Sequence, residues 1–229
     1  MKAMILAAGR GERLRPLTDR LPKPLAPIAG EPLLAHQLRW LVAAGIQDVV
    51  INLHHLGDQI EATFGDGSDF GVRIRYSREA ERLETGGGIV NALPLLGSDP
   101  FLVLNGDIYT DFPLNGLSGA PPDDADAHLV LTPRPPVREQ GDFEFAAGRV
   151  IARGGACVYC GIAVLRPELF AGQRAEPFSL RDLFFAALAR GQLSGQLWSG
   201  YWTDIGTPDQ LAAVDAHVGT MARSRLPSV

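Results

Sequence analysis

Between residues 2 and 107 short apolar runs alternate with helix-like stretches, and that order constrains the fold more than any other feature of the chain. KAMILA (2–7) is an apolar run stopped soon after by glycine, as suits a buried strand. Pro32 opens an apolar-periodic stretch, Leu33, Leu34, Leu38, Leu41 and Val42, which Gly45 closes. Proline just inside the start and glycine just past the end are helix punctuation. DVVINL (48–53) predicts a strand, GDQIEATFG (57–65) a short helix and VRIRYS (72–77) an alternating strand. GGGIVNALPLL (86–96) predicts a helix, and FLVLNGD (101–107) a buried strand with a polar end. A β-α-β-α-β-α-β order implies an α/β fold class, with a mostly parallel sheet flanked by helices on both faces.

After residue 112 the pattern changes. SGAPPDDAD (118–126) and RPPVREQGD (134–142) predict loops around the strand AHLVLT (127–132), and residues 143–165 read as antiparallel strands turning at Gly148 and at Gly154–Gly155. Helices are expected near 179–190 and 208–221. The last has Thr207 as its cap, Pro208 in first position and Gln210 completing a capping box. The tail SRLPSV is expected to fray. With no internal repeat and no long linker, residues 1–229 form one expected domain with two halves, 1–112 and 113–229.

Hydrophobic residues make up 46% and charged residues 21%, an ordinary globular balance. The net charge of −5 argues against a general nucleic-acid binder, which carries a basic face. No apolar run approaches the roughly 18 residues that span a bilayer, and Gly9 and Arg10 cut MKAMILAA too short for a signal peptide. A cytoplasmic protein with no membrane partner is expected. No feature sets an oligomeric state. Cys157 and Cys160 form a CxxC within a strand-like run, where positions three apart face opposite ways. Buried thiols are expected there, since further zinc ligands at a sensible spacing are lacking.

One segment stands apart from this balance. LAAGRGERLRPLTDRLPKPL (6–25) gathers Arg10, Arg13, Arg15, Arg20 and Lys23, while Pro16, Pro22 and Pro24 keep it from becoming a helix. It follows the first strand directly, so it lies at the carboxyl edge where open α/β sheets bind ligands. Gly9 and Gly11 would let backbone N–H groups approach a phosphate, although neither GxxxxGK[ST] nor GxGxxG is met. Solvated charge and a polyphosphate pocket both fit this loop by itself. Asp107 reaches the same edge at the end of FLVLNGD, where a turn former after glycine and a metal ligand are both open readings. Asp204, in GYWTDIGTPDQL, has no evident structural task because Thr207 already caps the helix. Two such carboxylates would suit Mg²⁺, which takes one or two of them plus substrate phosphates. GxSxG and HExxH are absent, and the five histidines are scattered. No general base is required if the nucleophile is a phosphate, whose second pKa is roughly 6.

Taken together, ILAAGRGERLRPLTDRLPKPLAPIAGEPLL, LETGGGI, FLVLNGD and WTDIGTP resemble the sugar-1-phosphate nucleotidyltransferase family, from residue 2 to about 215. The resemblance implies a Rossmann-like sheet with a smaller antiparallel sheet on the sugar side, and a nucleotide-binding half (1–112) followed by a sugar-binding half (113–229). It also implies Mg²⁺-dependent joining of a nucleoside triphosphate to a sugar 1-phosphate, with release of pyrophosphate. Carried to matching positions, it makes Arg13 and Lys23 the catalytic cations on the triphosphate, and Asp107 and Asp204 the metal ligands. Ala7, Ala8, Gly9, Gly11, Glu79, Glu84, Thr85 and Gly86 become nucleotide contacts, and Asn105, Gly141 and Gly161 sugar contacts. Arg10, Arg15 and Arg20 are left as supporting or surface charge.

Departures from the family pattern refine this. The Glu-Lys-Pro element of many relatives is absent from VIARGGACVYCGIAVL, which leaves Arg153 as the candidate replacement and suggests a roomier sugar pocket. No β-helix acyltransferase domain is expected after WTDIGTP. The texts INLHHLGDQIEATFGDGSDFGVRIRYS, LETGGGI and LNGDIYTD most resemble the family members that act on UTP and N-acetylmuramic acid 1-phosphate in cell-wall recycling, so the resemblance implies those substrates. Mannose 1-phosphate with GTP, or glucose 1-phosphate with UTP or dTTP, are the alternatives, and Glu79 also occurs in guanylyltransferase-like relatives. An inactive regulatory subunit that binds nucleotide sugars is the reading of a different class. Intact Arg13, Lys23, Asp107 and Asp204 argue against it.

Overall fold

The computed structural model describes residues 1–117, 119–136 and 138–224, with side chains through 221. Ser118, Val137 and the tail from 225 onward, where loop and fraying were expected, lie outside the described residues. β1 (Ala3–Leu6) leads through the basic loop and a short ribbon, β2 (Pro27–Ile28) with β3 (Glu31–Pro32), into α1 (Leu33–Ala43). Then come β4 (Asp48–Leu53), α2 (Gly57–Phe64), β5 (Arg73–Arg78), α3 (Glu84–Leu96) and β6 (Phe101–Asn105). These four longer strands are parallel in the order β5-β4-β1-β6.

Alternation along each strand builds two cores. Ala3 and Ile5 pack with Leu34, Leu38, Ile60 and Phe64 under α1 and α2, whereas Met4 packs with Ile89, Ala92 and Leu96 of α3 on the other face. Strands apolar on both sides are what a parallel sheet covered by helices requires. Pro32 sits at the cap of α1, one place before its predicted position, and Gly45 has φ +75, a left-handed value that glycine adopts without a Cβ penalty.

The second half extends the same sheet. Its elements are β7 (Ile108–Thr110), β8 (Ala127–Pro133), β9 (Phe143–Ala146), β10 (Arg149–Arg153), β11 (Cys157–Leu165), α4 (Leu180–Ala189), β12 (Leu193–Leu197), β13 (Trp202–Asp204) and α5 (Pro208–Ser224). β11 pairs antiparallel with both β6 and β8, and the sheet continues through β12, β10 and β9. The antiparallel strands are therefore continuous with the parallel ones. The separate small antiparallel sheets are β13-β7 and the β2-β3 ribbon.

Helix α5 starts as expected. Gln210 N–H donates to Thr207 Oγ1 at 3.3 Å, and Thr207 N–H donates to Gln210 Oε1 at 3.0 Å. Cys157 and Cys160 are free and buried, one in each core, and burial pushes both thiols up so that they stay protonated. Among the described residues no helix is long and apolar enough to cross a membrane.

Candidate active site

A cleft of about 600 Å³ opens beyond the carboxyl ends of β1 and β6. Ala7, Ala8, Gly9, Gly11, Arg13, Lys23, Glu84, Thr85, Asn105 and Asp107 line it. The other sequence-predicted residues, Glu79, Gly86, Gly141, Gly161 and Asp204, do not.

The basic loop is held by its apolar and hydroxyl residues, which leaves charge at the cleft. It folds into three short 3₁₀ turns, Glu12–Leu14, Leu17–Asp19 and Lys23–Leu25. Leu14 anchors it in a small core with Ile28, Leu33, Ile205 and Val214. Gly11 has φ +63, and a Cβ there would lie 2.8 Å from Thr18 Cγ2, while Thr18 Oγ1 donates to Gly11 O at 2.8 Å. Gly206 gives Arg13 its place, since a Cβ on it would come 2.7 Å from Arg13 Nη2. Arg15 pairs outward with Asp19 at 3.1 Å, but Arg10, expected to be supporting or surface charge, lines the cleft.

Lys23 Nζ lies 3.0 Å from Asp107 Oδ2, with the two side chains 14% and 30% exposed. The turn presenting Asp107 is clamped from two sides. Gly106 N–H donates to Leu6 O at 2.9 Å, an approach only glycine allows because a Cβ would lie 2.4 Å from that oxygen. Buried Gln37 donates through Nε2 to Asn105 O at 3.0 Å and to Ile108 O at 3.1 Å. β13 then brings Asp204 opposite Ile108, and Ile205 N–H donates to Asp107 O at 2.7 Å. Asp204 is not without a structural task, as its sequence context suggested. Gln210 Nε2 donates to its Oδ1 at 3.0 Å and Arg138 Nη2 to its Oδ2 at 3.1 Å.

The remaining predicted residues act behind the wall. Gly161, at φ +74 in the bulge of β11, makes room for Asn105, whose Nδ2 would lie 2.8 Å from a Cβ. Gly86 packs under Phe178 and Gly141 against the backbone of Gly155 and Cys157. Arg153 does not line the cleft, and its guanidinium lies 3.8 Å from the centre of the Phe185 ring, a cation–π contact.

Glu79 is buried. Its Oε1 accepts from Asn52 Nδ2 at 2.7 Å and its Oε2 from Leu83 N–H at 3.1 Å. Asn52 Oδ1 in turn accepts from Ala7 N–H at 2.7 Å, so Glu79 fixes the first residue of the cleft loop through a relay. Asn52, Arg82, Ser179 and Gly206 line the cleft without having been singled out. Asn52 left a signal as a polar residue in the buried run DVVINL, and Gly206 lies within the motif WTDIGTP. Glu79→Ala strands one buried and one half-buried donor and is expected to cost about 2–4 kcal/mol in urea unfolding. It should also raise the KM for nucleotide, and Glu79→Gln, which keeps one of the two acceptors and turns an NH2 toward the other donor, should recover only part of both losses.

Glu84 opens α3 at φ +58. A side chain in the left-handed region costs about 1–2 kcal/mol, whereas glycine pays nothing there beyond its looser unfolded chain. Glu84→Gly is expected to be as stable as the parent or up to about 1 kcal/mol more stable. Glu84→Val should lose about 1–2 kcal/mol, because β-branching worsens the strain. Thermal unfolding of the two variants checks the order.

Residues 2–151 match the family model described as nucleotidyl transferase. The chain is 45% identical to the N-acetylmuramate alpha-1-phosphate uridylyltransferase of Neisseria meningitidis serogroup B, over 96% of this chain and 99% of that protein. It is 34% identical to the protein of the same name from Caulobacter vibrioides, over 94% and 96% of the two chains. In fold it matches a Bacillus anthracis protein solved in complex with a sucrose, with TM-score 0.85 and 23% identity over 100% and 98% of the two chains. A family match over more than half its length, joined to this near full-length likeness, means that the chain belongs to the nucleotidyl transferase family.

Proposed function

We propose that the chain joins UTP to N-acetylmuramic acid 1-phosphate in the cytoplasm, giving UDP-N-acetylmuramic acid and pyrophosphate as a step in cell-wall recycling. The observation that carries the reaction class is the Lys23–Asp107 pair at the floor of a cleft rimmed by Arg10 and Arg13. The names of the two uridylyltransferases support the base and the sugar.

In this reading the 1-phosphate oxygen attacks the α-phosphorus of UTP, and the bond from that phosphorus to the bridging oxygen of the β-phosphate breaks. The sugar phosphate is already largely a dianion at pH 7, so no residue has to remove a proton. The first half (1–112) holds the nucleotide and the second half (113–229) the sugar. Arg13 grips the triphosphate and stabilises the departing pyrophosphate. Lys23 neutralises charge that grows at the α-phosphate, and a preorganised cation in a narrow cleft does this without reorganisation cost. Ala7, Ala8, Gly9 and Gly11 face the nucleotide, and the Asn52–Glu79 relay keeps the Ala7 amide oriented.

Asp107 and Asp204 fit a hard divalent cation such as Mg²⁺. They are oxygen donors on adjacent backbone, and among the described residues no cluster of three or more His, Cys, Asp or Glu forms a full protein cage. Few protein ligands leave room for water and phosphate oxygens, as Mg²⁺ prefers. When bound, the ion would offset charge on the reacting phosphates.

Pyrophosphate release, measured with Mg²⁺ over a grid of nucleoside triphosphates and sugar 1-phosphates, tests the reading. Turnover confined to UTP with N-acetylmuramic acid 1-phosphate is expected. Preference for GTP with mannose 1-phosphate would overturn the substrates, and folded protein that turns over no pair would overturn the activity.

A further inference from the structure

Both acidic side chains proposed to meet the metal already carry a cation in this structure. Lys23 sits on Asp107, and Arg138 sits on Asp204 at 3.1 Å. The two pairs are built differently. Gln210 holds Asp204 Oδ1, and Gln210 is itself fixed by the N–H groups of Gly206 and Thr207, both donating to its Oε1. The carboxylate thus keeps its place whether or not Arg138 is present, and Oδ2 is the exchangeable oxygen. Arg138 comes from the loop between β8 and β9, 36% exposed along its side chain, with its guanidinium 5.9 Å from the centre of the Trp202 ring. Four of the other second-half arginines are committed elsewhere: Arg149 to Asp124, Arg190 to Asp126, Arg166 to backbone carbonyls and Arg153 to Phe185.

We propose that Arg138 is the sugar-side phosphate receptor, parked on Asp204 Oδ2 until a divalent cation takes that oxygen and frees the guanidinium for the 1-phosphate of the sugar substrate. The charges favour this exchange. The two carboxylates are balanced by the two cations paired with them, so an added dication at these oxygens repels Arg138, and the arriving phosphate dianion offsets it. A guanidinium meets phosphate with two parallel N–H donors, and a half-exposed one resting on an aromatic ring can turn between two anions at small cost. The proposal rests on the sugar-1-phosphate reading given above, but its metal half does not depend on which sugar is used.

Mn²⁺ affinity of the free protein, read by electron paramagnetic resonance without substrates, tests the parking. Arg138→Ala should bind Mn²⁺ about 3–10-fold more tightly, since a charge-assisted competitor is gone. Arg138→Lys, which keeps the charge, should stay near the parent. Steady-state kinetics with whichever pair the parent enzyme turns over test the receptor. Arg138→Ala should raise KM for the sugar 1-phosphate about 10–100-fold, with KM for the nucleotide within about twofold. Arg138→Lys should recover only part of that loss, because it lacks the fork. Unchanged or weaker Mn²⁺ binding, or an unchanged KM for the sugar 1-phosphate, would overturn the proposal in a protein whose circular dichroism matches the parent. A loss seen with N-acetylmuramic acid 1-phosphate but not with N-acetylglucosamine 1-phosphate would move the contact to the lactyl carboxylate and overturn it equally. A parent enzyme inactive on every pair would defeat the proposed function, and the Mn²⁺ comparison would still decide the parking.

Discussion

Replacing Lys23 by alanine is expected to lower kcat and kcat/KM together by about a thousandfold or more, with the fold retained. Equal loss in both follows if the ammonium acts on charge that exists only as the α-phosphate reacts, and not on the resting nucleotide. Lys23 is well placed for that task, 14% exposed and fixed at 3.0 Å from Asp107 by a turn that begins at Pro22 and Pro24. Its removal breaks a partly buried ion pair, which costs about 1–3 kcal/mol of stability. Lys23→Arg is not a rescue, since the longer planar fork cannot occupy the point position of an ammonium beside Pro24. Pyrophosphate release measured alongside urea unfolding separates the two effects. Activity within tenfold of the parent in a folded variant would remove Lys23 from the reaction.

The sequence carries the sheet because β1, β4 and β6 are largely apolar runs that helices must cover and the edge strand β5 alternates, so order and direction follow from local pattern. It carries Lys23 and Asp107 because the basic loop and the end of FLVLNGD both follow strands, which puts them at one edge in any parallel arrangement. Contacts that depend on pairing across the chain are another matter. Asn52 meets Glu79 across 27 positions and Arg138 meets Asp204 across 66, and no local periodicity encodes either meeting. β7 and β13, of three residues each, are too short to show alternation, yet their pairing is what brings Asp204 beside Asp107. β12 pairs parallel with β8, and its sequence LSGQL lacks the β-branched residues that would have marked it as a strand. Glu79 was found for its motif, and what it does is set by burial: it orients Ala7 through Asn52 from behind the wall. Gly86 and Gly161 likewise come from motifs, and the structure assigns both to close packing against Phe178 and Asn105.

The second large effect is expected at Asp107. Asp107→Asn preserves size and leaves an acceptor for Lys23, so stability should fall by no more than about 1 kcal/mol. Turnover should still fall by about a hundredfold to a thousandfold, because an amide is a poor ligand for a hard dication and because Lys23 loses the charge that holds it. Mn²⁺ titration of the free protein supplies the independent readout: affinity should weaken at least tenfold in Asp107→Asn. If Lys23 and Asp107 act as one unit, the double variant Lys23→Ala with Asp107→Asn should be little worse than the poorer single variant, since each change alone already dismantles the arrangement. Losses that simply multiply would mean two independent contributions, with the 3.0 Å pair no more than a resting contact. An Asp107→Asn protein that keeps parental Mn²⁺ affinity and turnover would take the metal away from this carboxylate. Asp204 would then be left without the partner that β13 lies beside, and the site would have to be rebuilt around Arg10, Arg13 and Lys23 as a purely cationic cradle.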